Sequence, residues 1–91
     1  MLLESWLKFS KNQQIGAIAA EIKRSKIWQG KDKENFLSAI ERLIDLIDLT
    51  IDDKRWQGQL SILFWLRDKI TKIYLGLENA NLELEILQRA L

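Results

Sequence analysis

Between Phe36 and Ile51 the apolar residues return at the spacing of one helix face: Phe36, Ile40, Leu43, Ile44, Ile47 and Ile51. Ala39 and Leu46 widen this stripe, and Leu49 points away from it. A strand turns alternate side chains to opposite faces, so it cannot keep these six together; a helix with one buried flank can. No proline occurs anywhere in the chain. The residue that removes a backbone N–H and forces a helix to stop is therefore missing throughout. With Asp32 as N-cap, the pattern predicts a helix over 32–52, a rod about 30 Å long at 1.5 Å per residue.

The flanking segments carry helix signals of their own. Ser10-Lys11-Asn12-Gln13 matches a capping box, in which the Ser and Gln side chains satisfy backbone donors left open at a helix start. Ile15, Ile18, Ala19 and Ile22 follow on one side, predicting a helix over 10–28. Residues 2–9 either form a separate turn or continue into this helix. Gly30 with Lys31 and Asp32 divides the first run from the second, and Asp52-Asp53-Lys54-Arg55 divides the second from the third. The third helix is expected over 54–75, with Gly76 closing it in a left-handed C-cap. Its apolar set is broad: Trp56, Leu60, Ile62, Leu63, Phe64, Leu66, Ile70, Ile73, Tyr74 and Leu77. An arc of roughly 200° exceeds what one neighbour covers, which places this helix centrally or at an interface. A short helix over 81–91, capped by Asn81, is too brief to hold itself in water and must dock.

Together these elements predict an all-α fold. It is a small three- to four-helix bundle with three long antiparallel helices and a short C-terminal one, in one domain over 1–91. Net charge is +1, but the charges are sorted. Residues 1–31 carry six basic and two acidic side chains, 32–53 two and seven, and 54–77 five and one. An acidic helix between two basic ones suits side-by-side packing.

Chemistry is constrained by what is missing. The chain has no histidine and no cysteine, so the commonest general base, the thiol nucleophile and the usual transition-metal ligands are unavailable. No glycine-rich phosphate loop or nucleophile elbow occurs. Glu41, Asp45, Asp48 and Asp52 form an acidic stripe on the second helix. Such a ladder could hold Mg²⁺ through carboxylate oxygens, but the facing helix offers only Asp68. The simpler reading is a solvated face meeting neighbouring lysines and arginines. Arg67 lies within the apolar arc of the third helix and needs a partner, for which Asp48 is the candidate; were that pair buried, losing Asp48 would cost about 3–5 kcal/mol.

Trp65 projects from the polar side of the third helix, beside Ser61, Asp68, Lys69 and Lys72. It suits a protein interface, a stacked base, or cover by the C-terminal helix. The expected function is thus a non-enzymatic protein-interaction or oligomerisation module. Its candidate interface is Trp65 with Leu82, Leu84, Ile86, Leu87 and Leu91, and its candidate structural ion pair is Arg67 with Asp48. The alternative is a small nucleic-acid-binding subunit using the basic first and third helices, against which the net charge argues. No cofactor is expected, and the expected partner is a second copy or a larger protein. The longest uncharged stretch, Trp56–Leu66, is far short of the roughly 20 residues of a membrane span. The early Glu4 and the lack of a basic run before an apolar core are not expected of a secretory signal, and a reducing, cytoplasmic setting is expected.

Overall fold

The computed structural model describes residues 2–77 together with Asn79, Leu84 and Arg89. The order is α1 (Leu3–Leu7), α2 (Lys11–Trp28), α3 (Lys33–Ile51), a 3-10 helix (Lys54–Gln59) and α4 (Leu60–Tyr74). Among the described residues there is no strand. The fold is a small all-α bundle, as the period of the apolar residues predicts.

The helix starts are set by local chemistry. The Ser10 side chain accepts from the Gln13 backbone N–H at 3.1 Å, while the Gln13 side chain accepts from the Ser10 N–H at 2.8 Å. Asp32 caps α3 by accepting from the Asn35 N–H at 3.1 Å. At the far end of α4, Gly76 adopts φ +75°, a backbone region that side-chain-bearing residues avoid. The Leu77 N–H then reaches back to the Lys72 carbonyl at 2.9 Å and the Gly76 N–H to Ile73 at 3.1 Å. These two bonds make a Schellman end and satisfy carbonyls that would otherwise be left open.

Residues 2–9 resolve as a separate short helix. Trp6 is its buried anchor, wholly inaccessible to solvent, and Phe9 meets it edge to face at 5.8 Å. The core gathers Trp6, Ile18 and Ile22 with Ile40, Leu43, Leu46 and Ile47 of α3 and Leu66, Ile70 and Ile73 of α4. Leu84 is buried in the same cluster.

Two expectations are corrected. The helix predicted over 54–75 is broken: its first six residues wind as 3-10, and the α-helix begins only at Leu60. Asp53 causes the break. Its carboxylate accepts from the Arg55 backbone N–H two residues on and holds the chain in a tighter turn. The buried line of α2 is Gln14, Ile18, Ile22 and Ser25, so Ile15 and Ala19 sit at the edge of the core. The helix expected over 81–91 falls outside the described residues, except that Leu84 and Arg89 are helical.

Candidate interaction surface

Only one line of α4 reaches the core: Leu63, Leu66, Ile70 and Ile73. At 100° per residue these span about 80°, so the rest of the broad apolar arc is left outside. Ile62, Phe64 and Trp65 are 64%, 53% and 48% exposed. Scattered surface apolars are ordinary; here Ile62 and Trp65 adjoin at i and i+3, while Phe64 projects about 160° round the helix from Ile62, on the other side of Trp65. Below them on the outer face lie Asp68 and Lys72, joined at 2.9 Å.

The flank of α4 turned toward α3 is pinned by polar bonds. Arg67 Nε donates to Asp48 Oδ1 at 2.5 Å, and the Tyr74 hydroxyl donates to Glu41 Oε1 at 2.8 Å. The Glu41 carboxylate pushes the Tyr74 hydroxyl above its usual pKa, because ionising the phenol would remove the bond and set two negative charges side by side. The Asp48 carboxylate likewise raises Arg67. The expected pair between Arg67 and Asp48 is thus formed, but at the surface: the two side chains are 42% and 46% exposed. Solvent screening shrinks its worth, so Asp48→Ala should cost about 0.5–1 kcal/mol rather than the price of a buried pair. Urea denaturation resolves the two magnitudes, and a loss above about 2 kcal/mol would show that the pair works as a buried one.

The acidic stripe of α3 is divided rather than gathered. Glu41 faces Tyr74 and Asp48 faces Arg67, while Asp45 turns toward α2. Among the described residues no group of three or more acids is placed to hold a metal ion. Of the residues expected at an interface, Trp65 is on the exposed patch, whereas Leu84 is fully buried in the core. Leu84 therefore belongs to the packing of this chain and not to its surface. Leu82, Ile86, Leu87 and Leu91 lie outside the described residues.

At the end of the bundle where α3 gives way to the 3-10 helix is an arrangement the sequence pattern did not announce. Gln14, fully buried, donates through Nε2 to the Trp6 carbonyl at 3.0 Å and to Asp53 Oδ2 at 2.9 Å. Its Oε1 accepts from Trp56 Nε1 at 2.7 Å. Asp53, 1% exposed, also takes the Arg55 guanidinium at 2.7 Å, and Arg55 donates onward to the carbonyls of Leu7 and Phe9. Trp6 Nε1 donates to Thr50 Oγ1 at 3.1 Å, and Thr50 in turn donates to the Leu46 carbonyl. Lys11 rests over the Trp56 ring, 4.4 Å from its centre. The Arg55 side chain, with help from Gln14 and the Arg55 N–H, holds the Asp53 carboxyl well below the usual carboxylate range against the opposing effect of burial. These bonds tie α1 and the start of α2 to the end of α3 and the 3-10 helix. The signal was the position of Gln14, four residues before Ile18 on the buried line.

No helix of the described residues is long and apolar enough to cross a membrane. Neither protein-family models, curated protein sequences nor solved structures match the chain.

Proposed function

We propose that the chain is a non-catalytic interaction module that pairs with a second copy of itself through the outer face of α4. The observation that carries the reading is the exposed triplet Ile62, Phe64 and Trp65. Covering such side chains contributes about 1.5–3 kcal/mol each when burial is complete, which is enough for a weak two-fold contact.

A second copy fits better than an unlike partner because the face complements itself. When α4 runs antiparallel to another α4 with the two-fold axis level with residue 70, Asp68 of each copy falls across from Lys72 of the other, and Trp65 across from the exposed Leu75. The symmetric arrangement uses one patch twice, as closed dimers do.

Light scattering at about 100 µM, a range suited to a small interface, should give twice the monomer mass of 10.7 kDa. Trp65→Ala should return it to monomer while helicity by circular dichroism stays unchanged, since the side chain is half exposed. A monomer at every concentration would sink the reading. Salt-sensitive quenching of Trp65 by a single-stranded oligonucleotide, lost in Lys69→Ala and Lys72→Ala, would instead transfer the face to the nucleic-acid alternative.

A further inference from the structure

A groove of about 330 Å³ runs between α2 and α3, on a side of the bundle formed by neither the α4 face nor the buried network. Among the described residues its walls are Ala17, Ala20, Leu46 and Leu49, and its polar residues are Glu21, Arg42 and Asp45. Small side chains on α2 open this space, since alanine at both 17 and 20 stands where a larger residue would fill it. The volume is at the lower end of those that take small organic ligands, and the proportion of apolar wall to a few polar groups is the usual one for such sites.

The polar groups are arranged in an uncommon way. Arg42 and Asp45 stand one turn apart on the same helix, a spacing at which opposite charges ordinarily pair. Neither makes a hydrogen bond or ion pair with any described residue. Across the groove, Glu21 gives Oε1 to Arg24 at 2.6 Å, while its Oε2 is buried with no partner. A buried carboxylate oxygen without a donor is costly. The terminal torsion of a glutamate is broad and turns easily, so a donor in the groove has an acceptor within a side-chain rotation.

Charge decides the class of ligand. Glu21 is already offset by Arg24, and Asp45 is offset by Arg42, so the site is close to neutral and favours neither a simple cation nor a simple anion. It is dipolar: carboxylates on one side, a guanidinium about 5–6 Å away between Cβ atoms, and an apolar trough beside both. We propose that this groove binds a free apolar α-amino acid in its zwitterionic form. The ammonium donates to Asp45 and Glu21, the carboxylate meets Arg42, and the side chain lies along Ala17, Ala20, Leu46 and Leu49. The ligand's two charges share one carbon, matching two protein charges one helical turn apart.

Three probes of one shape test this: L-phenylalanine, 2-phenylethylamine, which lacks the carboxylate, and 3-phenylpropanoate, which lacks the ammonium. Methyl and amide shifts of the intact chain in a ¹H–¹³C and ¹H–¹⁵N titration should move at Ala17, Ala20, Leu46 and Leu49 with L-phenylalanine, saturating at least tenfold below either analogue. Arg42→Gln should abolish the preference over 2-phenylethylamine, and Asp45→Asn the preference over 3-phenylpropanoate. Both positions are exposed, so both variants keep the fold, checked by their unperturbed core resonances. Equal binding of the amine and the amino acid, no shift at the highest soluble ligand concentration, or shifts centred outside the groove would each overturn the proposal. Dimerisation through α4 is read separately, by mass, so the two ideas stand or fall independently.

Discussion

Trp6→Ala should remove about 3–5 kcal/mol of stability, the range found when a large aromatic is truncated in a packed core. The loss is large against a total of roughly 5–14 kcal/mol for a chain of this length. Trp6 is inaccessible to solvent and is the one buried residue of a five-residue helix, which has too few bonds of its own to persist. Without the indole, α1 loses its attachment, Thr50 loses its donor, and a cavity opens in the core cluster that Trp6 helps to fill. Trp6→Phe separates these effects in part, because it keeps most of the apolar volume while deleting the N–H and the rest of the second ring. It should cost about 1–2 kcal/mol. In thermal melts followed by circular dichroism, the alanine variant should fall by roughly 15–30 °C. A drop of less than about 5 °C would mean that α1 is an ornament on a core complete without it.

The second large effect belongs to Asp53. Asp53→Ala takes one of two acceptors from the buried Gln14 amide, the side-chain acceptor from the Arg55 N–H, and the counter-charge from the Arg55 guanidinium. Losing one member of a buried pair costs about 3–5 kcal/mol. The Arg55 side chain is 40% exposed and recovers part of that from water, so about 2–3 kcal/mol is expected. The same residue carries a pH dependence. The Asp53 carboxyl is held below its ordinary range in the folded state, so its contribution is fully present above the unfolded value near pH 3.9 and is lost progressively as the pH falls below it. Urea midpoints of the wild type and Asp53→Asn should therefore differ most at neutral pH and converge toward pH 2. Parallel curves across that range would remove Asp53 from the acid response.

The legible part of this fold is the part governed by local rules. The capping box at Ser10, the cap at Asp32, the stripe of α3 and the left-handed glycine at 76 each act within a turn or two, and the structure has all of them, except that Leu49, expected to point away from the stripe, packs against the core. What escaped the pattern depends on partners far away in sequence. Gln14 looks like an ordinary polar helix residue until Asp53 and Trp56, some 40 positions on, supply its bonds. The 3-10 segment was hidden for the same reason: apolar spacing runs through it, yet Asp53 tightens the turn and directs Trp56 inward. Arg67 and Asp48 could be paired from helix positions alone, but their exposure could not, because it depends on how narrow the core-facing line of α4 is. The groove left no trace in any pattern, since it is made by side chains that are small.

The buried bonds joining residues 6 and 14 to residues 50, 53 and 56 also impose an order in time. α2 and α3 are joined by the short Gln29–Asp32 connection and can collapse on each other as a local hairpin, at the small entropic cost of a short closure. The ring through Trp6, Gln14, Thr50, Asp53 and Trp56 closes a far longer stretch of chain, and no single bond in it compensates for that closure alone. Its members engage as a set once the hairpin has already brought both ends of the stretch together. α1 is therefore first in the chain and among the last to settle. The Trp6 amide, bonded to the Leu2 carbonyl, is expected to exchange with solvent at the pace at which the whole ring opens rather than by fraying.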